Sequence, residues 1–341
     1  MNMQAFSWTR GRAGRYAATA LGAVVLALGA FAPVAAQAAA PKTLFVSQGG
    51  LDSGACTSAS PCATVSYALT KAASGATIKV SGTINDHLSI SSPVTLTRWP
   101  GGPDGSRAVL DGTSSGSAVV AVGGGVTGVT LNDLTIQHGG QLGISNFGTL
   151  RVTDSTVSAN PNGITNNGNG TMTVVDSTIS GNTATFSLGA GIGNSGTMTV
   201  IASTISGNTG ASGGTGGIYS DAGTVRLGAT IVAGNTGGNC HAVAAGEIAS
   251  AGYNLTNDKT GAACSFTATN DRVNKNPLLG HLASNGGPTK TLLPGATSPA
   301  SDVIPKTTTI GGVSVCAGTD QRGVTRPASG ETRCTIGAVE I

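Results

Sequence analysis

The stretch Gly170-Thr-Met-Thr-Val-Val-Asp-Ser-Thr-Ile-Ser-Gly-Asn182 decides the fold, because the chain repeats it. Gly148-Thr-Leu-Arg-Val-Thr-Asp-Ser-Thr-Val-Ser-Ala-Asn160 precedes it, and Gly196-Thr-Met-Thr-Val-Ile-Ala-Ser-Thr-Ile-Ser-Gly-Asn208 follows. Gly223-Thr-Val-Arg-Leu-Gly-Ala-Thr-Ile-Val-Ala-Gly-Asn235 closes the series, and a degenerate copy over 129–136 opens it. Successive leading glycines are 22, 26 and 27 residues apart. The variation falls in Gly-, Asn- and Ser-rich stretches such as 209–216, where a loop tolerates insertion. Gly143-Ile144, Gly163-Ile164, Gly191-Ile192 and Gly217-Ile218 stand before the four complete copies.

Residues alternate within a copy as they do in a strand. Met198 and Val200 point one way, Thr197 and Thr199 the other. One copy cannot bury its apolar face alone, but stacked copies can. Stacking places Leu150, Met172, Met198 and Val225 in one internal column, and Val152, Val174, Val200 and Leu227 in the next. Ile144, Ile164, Ile192 and Ile218 form a third, and Val157, Ile179, Ile205 and Val232 a fourth. The expected fold is therefore all-β, a right-handed parallel β-helix with coils about 4.8 Å apart. The Leu-x-x-Leu-x-Leu pattern of leucine-rich repeats is missing.

Four segments follow from this reading. Residues 1–38 have Arg10, Arg12 and Arg15, an apolar run over 17–31 and Ala36-Gln37-Ala38, the pattern of a secretory signal peptide. Residues 39–75 form an N-terminal cap, in which Val65, Ala68, Leu69 and Ala72 at helical spacing predict a short helix over 61–73. Coils occupy 76–239. Residues 240–341 lose the repeat and are expected to close the other end of the solenoid. Export to an extracellular or cell-surface location is expected, with no membrane span left after leader cleavage.

Charge supports that address and excludes one partner class. The leader holds three of the 18 Lys and Arg, so the remainder balances the 15 Asp and Glu. A chain-wide basic footprint for nucleic acid is absent. Six cysteines in an oxidising destination suggest disulfides, and sequence neighbours give the simplest pairing: Cys56 with Cys62, Cys240 with Cys264, Cys316 with Cys334.

The repeats, with their intervening Gly-Ile steps, resemble those of bacterial right-handed parallel β-helix proteins, the polymorphic outer-membrane-protein repeat among them. The opening, Phe45-Val-Ser-Gln-Gly-Gly through Pro61-Cys-Ala-Thr-Val-Ser-Tyr-Ala-Leu, resembles the capping start of pectin-lyase-like folds. The tail motifs Asn276-Pro-Leu-Leu-Gly-His-Leu-Ala-Ser-Asn-Gly-Gly-Pro288, Asp320-Gln-Arg-Gly-Val-Thr-Arg-Pro327 and Ile336-Gly-Ala-Val-Glu340 resemble a choice-of-anchor Q domain. The resemblance implies a secreted or surface-displayed β-helix. A sorting anchor often follows such a tail; with no hydrophobic stretch or basic tail before Ile341, free release is the expectation.

No catalytic residues can be assigned from the sequence. Glycoside hydrolysis needs two carboxylates across the scissile bond, and no Asp-Asp pair is present. Polysaccharide elimination needs a base and a cation to neutralise the sugar carboxylate. Arg151 and Arg226 share an outward repeat position, but three coils separate them by about 14 Å. Gln137-His138-Gly139 echoes the His-Gly of polygalacturonases without the acidic motifs, so His138 reads as a corner residue; His87, His241 and His281 carry no partner pattern. Asp133, Asp154 and Asp176 form a column continued by Ala202 and Ala229. It reads as a strand corner, where Asp tolerates the left-handed backbone, in preference to a calcium site. Outward Thr171, Thr173, Thr197 and Thr199 form too short an array for ice binding. The expectation is a non-catalytic module, without a cofactor, that contacts a polysaccharide or cell-surface glycan. The alternative is a polysaccharide lyase or glycoside hydrolase acting on acidic polysaccharide.

Overall fold

Parallel strands wind around one core in three sheets. The computed structural model describes residues 42–105, 107–185, 189–243 and 246–341, so the leader assigned to 1–38 lies outside the described residues. One turn of the winding shows the plan. Leu142–Asn146 lies in sheet C, Thr149–Thr153 in sheet A and Thr156–Ser158 in sheet B, before Asn162–Asn166 returns to sheet C one level on. Among the described residues sheet C has seven strands, from Leu88–Ile90 to Cys240–Ala242. Sheets A and B are joined through the long strand Ala76–Asn85, whose first half pairs with Val94–Arg98 and whose second half pairs with Ala108–Ser115. The chain is a right-handed parallel β-helix.

The four apolar columns are in register. Leu150 pairs with Met172, Met172 with Met198 and Met198 with Val225. Ile144, Ile164, Ile192 and Ile218 follow one another in sheet C, and Val157, Ile179, Ile205 and Val232 in sheet B. All of these are buried, each worth roughly 1.5–3 kcal/mol on removal from water.

Corners explain the polar residues of the repeat. Asp133, Asp154, Asp176, Ala202 and Ala229 sit between sheets A and B at φ 56, 50, 44, 47 and 51°. A single left-handed residue turns the chain there, as expected for Asp, but Ala at the same place shows that the conformation is imposed by the coil. The following hydroxyl holds the corner: Ser155, Ser177 and Ser203 donate to the carbonyls of Thr153, Val175 and Ile201 at 2.6, 2.7 and 2.8 Å. Between sheets B and C the last residue of each copy builds a buried amide ladder. Asn160 Nδ2 donates to Asn182 Oδ1 (3.1 Å), Asn182 to Asn208 (2.9 Å) and Asn208 to Asn235 (2.9 Å). A second ladder runs through Asn146, Asn166 and Asn194 where sheet C meets sheet A.

The N-terminal mouth is covered by the strand Thr43–Ser47 and the helix Val65–Lys71, with Val65 and Ala68 buried. This helix is shorter than the expected 61–73, because Cys62 is held as an extended bridge, its N–H donating to Phe45 O and its carbonyl accepting from Ser47 N. Thr64 then caps the helix, accepting from Tyr67 N. At the other mouth, Cys264 and Phe266 enter the main core beside Cys240. Disulfides join Cys56–Cys62, Cys240–Cys264 and Cys316–Cys334, with Cα separations of 4.8, 5.0 and 5.7 Å.

The C-terminal segment does more than close the end. Beyond Pro277 it folds back along the outer face of sheet B. Thr156 Oγ1 donates to Lys290 O, Thr178 Oγ1 to Gln321 Oε1, and Thr204 Oγ1 accepts from Ala338 N. A second apolar core fills the seam, with Val175, Ile201, Ala202, Ala229 and Ile231 from the coils against Ile304, Ile310, Val315 and Ile336.

The amide ladder gives a direct test. Asn182→Ala removes the side-chain acceptor of the Asn160 backbone N–H and the side-chain donor to the Val157 carbonyl, and a buried group left unsatisfied costs about 1–3 kcal/mol. We expect a lower denaturation midpoint than for the wild-type chain; an unchanged midpoint would show that the ladder contributes nothing.

Candidate functional site

The Asp column meets an arginine that sequence spacing could not place there. Arg326, 3% exposed, brings Nη2 to 3.2 Å from Asp176 Oδ1 and Nη1 to 4.0 Å from Glu340 Oε2. Its guanidinium also donates to the carbonyls of Thr335 and Gly337. Asp320, also buried, is paired with Arg322 at 2.9 Å and accepts from the Glu340 and Val324 amides. Gln321, 1% exposed, reaches the Ser155 carbonyl and the hydroxyls of Thr156 and Thr289. The motif Asp320-Gln-Arg-Gly-Val-Thr-Arg326 is thus a clasp holding the C-terminal segment to the coils.

That clasp crowds carboxylates. Burial, then the charges of Asp176 and Asp133, push the Asp154 carboxyl up to about 7 against the pull of Arg326. Burial also pushes Asp176 up to about 6, opposed by Arg326 and assisted by Asp320. Burial raises Asp133 as well, with Arg98 at 3.7 Å opposing it. Among the described residues no group of three or more His, Cys, Asp or Glu is arranged to hold a metal ion. The Asp column is a corner and a docking surface.

A separate constellation lies nearer the N-terminal end of sheet B. Asp111 is in register with Gln137, so its Oδ2 accepts from Gln137 Nε2 and contacts His138 Nδ1, both at 2.8 Å. Burial raises the Asp111 carboxyl, but hydrogen bonds from Gln137, the Thr113 amide and His138 outweigh it and hold the pKa below its ordinary value. His138 occupies a left-handed corner at φ 55° as expected, and it also has an acidic partner. The sequence concealed that partner because it comes from the preceding coil. Beside this group, Arg107, Gln137 and Lys290 line a cleft of about 160 Å³ between sheet B and the returning segment. Arg107 also donates to Ser284 Oγ.

The other histidines separate. His87 Nδ1 contacts Ala118 O at 3.1 Å and Nε2 contacts Ser115 Oγ at 3.0 Å. His281 sits exposed in the hairpin strand Leu279–Ala283. His241 is in register with Tyr219 on the outer face of sheet C, and the rings stack at 5.6 Å with an interplanar angle of 11°. They border a cavity of about 310 Å³ lined by Gly213, Gly214, Thr215 and Gly237. The same outward column holds Ser145, Thr165 and Gly193 on earlier coils, so the aromatic pair ends a strip of small residues. Arg151 and Arg226 remain apart, separated in register by Thr173 and Thr199.

No family model matches the chain, and no curated protein matches it. Among solved structures, the crystal structure of pectate lyase Pel9A aligns with 87% of this chain and 96% of its own, at 12% identity and a TM-score of 0.46. Among the described residues no helix is long and apolar enough to cross a membrane.

The raised carboxyls fix the sign of a pH effect. Asp154 moves from 3.8 to about 7 on folding, so the native state holds a proton that the unfolded chain releases, and the associated stabilisation is complete below the unfolded pKa. It is lost as pH rises through the folded value. Thermal unfolding is expected at a lower temperature at pH 8 than at pH 5, and Asp154→Asn should reduce that dependence to the share that Asp176 carries. A variant with the wild-type pH profile would remove Asp154 as its source.

Proposed function

We propose that the chain is an exported, non-catalytic β-helix module that contacts glycans through the outer face of sheet C. The stacked Tyr219–His241 pair carries this reading. Flat rings beside a glycine-lined cavity offer an apolar surface with polar tips, which suits the C–H face and hydroxyls of a sugar ring. The C-terminal segment packs on sheet B, and Tyr219 is half-buried and His241 exposed. Three disulfides and a leader-like N-terminus support an extracellular location. No cofactor belongs to this proposal.

A second reading is favoured by one observation, the Arg107–Lys290 cleft beside Asp111 and His138. In that reading the two cations neutralise a uronate carboxylate, and His138, oriented through Nδ1 by Asp111, removes the adjacent C–H proton through Nε2. As that C–H electron pair forms the C4–C5 double bond, the C4–O glycosidic bond breaks and the departing oxygen takes a proton from water, leaving an unsaturated sugar end.

Both readings are tested with the mature protein on neutral and uronate-containing glycans, with and without calcium. Saturable binding without turnover is expected, and Tyr219→Ala should weaken it several-fold to about tenfold. Release of unsaturated products, followed by ultraviolet absorbance and abolished by His138→Ala, would overturn the non-catalytic reading.

A further inference from the structure

We infer that the junction between the C-terminal cap and the returning segment is a binding site for a compact oxyanion, a carboxylate or a tetrahedral group such as phosphate or sulfate. A cavity of about 320 Å³ opens there, lined by Tyr253, Asn270 and Arg272 from the cap and by Val303, Pro305 and Arg333 from the returning segment. Two arginines line one space. Among the described residues neither has a carboxylate within 4.0 Å. The one acid on the cavity wall, Asp271, is committed elsewhere: it accepts from Ser250 Oγ at 2.6 Å, from the Asn254 amide at 2.8 Å and from the Ala268 amide at 3.0 Å.

Both arginines are held in place by structure that has no need of their free donors. Arg272 is fixed through its backbone, its N–H donating to Asn254 O at 2.7 Å and its carbonyl accepting from Thr256 N at 2.9 Å. Arg333 lies in the two-residue strand paired with Ile304–Pro305, next to the Cys316–Cys334 disulfide. Its Nη1 donates to Val303 O at 3.0 Å, which sets the direction of the guanidinium and leaves other N–H groups free. Like charges across a small cavity repel, and an anion converts that repulsion into attraction. The planar fork of each guanidinium matches two oxygens of a carboxylate, phosphate or sulfate. Asn270 adds an amide donor and Tyr253 a hydroxyl. A bound oxyanion would tie the cap to the returning segment, so it should stabilise the fold by mass action. The site shares no residue with the Tyr219–His241 surface and does not depend on the glycan reading.

The mature protein is titrated at low ionic strength with inorganic phosphate, inorganic sulfate and D-glucuronate, by calorimetry and by thermal shift. Arg272→Gln and Arg333→Gln are compared with Arg226→Gln, which changes an outward charge on sheet A. Saturable binding of at least one anion is expected, with a raised unfolding temperature. Either cavity variant should weaken it by about tenfold or more, while Arg226→Gln leaves it unchanged. Phosphate or sulfate alone would identify a tetrahedral ligand, and glucuronate alone an acidic sugar. Arg272→Lys keeps the charge without the fork and should bind at intermediate strength, which separates loss of the site from loss of folding. Absence of saturation with all three anions, or equal weakening by Arg226→Gln, would overturn the assignment.

Discussion

Stacking at one coil spacing requires each side chain to be compatible with the same kind of side chain directly above and below it. Apolar columns satisfy the requirement without cost, and so do amides, because an Asn is both donor and acceptor and can pass the bond along. Carboxylates do not. Two like charges at one coil spacing repel by about 1 kcal/mol in water and by several times that where water is excluded. A chain with only 10% charged residues and ladders of Asn, Ser and Thr is the composition this constraint selects. Asp133, Asp154 and Asp176 are the exception, and their raised carboxyls are the price. Arg326 offsets part of it from outside the repeat.

The C-terminal segment explains changes in the repeat that otherwise look like decay. The corner column passes from Asp to Ala at 202 and 229, and the outward sheet B column from Thr156, Thr178 and Thr204 to Ile231. These are the levels at which Ile304, Ile310 and Ile336 pack against the coils. Where the segment offers polar groups, the coils keep Asp and Thr.

Much of the coil interior was legible from the sequence. Register follows from side-chain period, and a column of Ile or Met cannot slip by one residue without turning its face to water. The corners were legible for the same reason, since Asp-Ser-Thr recurs at a fixed place. The partner of His138 was not, because Asp111 lies outside the regular copies and meets it only through coil-to-coil pairing. The Tyr219–His241 stack was hidden in the same way, being a pair in register whose members stand in strands of successive coils, far apart in the sequence. The path of residues 277–341 was the least legible. It has no period, and the Asp-to-Ala change that marks its docking site takes on meaning only once the segment is seen against it.

That docked segment sets a length. It makes hydrogen bonds at the level of Thr156 through Lys290 and at the level of Ala229 through Gly337, so it is a strap of fixed span laid across successive coils. Free solenoids grow or shrink by whole repeats with little penalty, each coil meeting only its neighbours. Here a coil added or removed between those levels would put the strap out of step with every rung beyond the change. The returning segment therefore works as a gauge that counts coils, and it holds the number of turns constant while the loops beside sheet C remain free to lengthen.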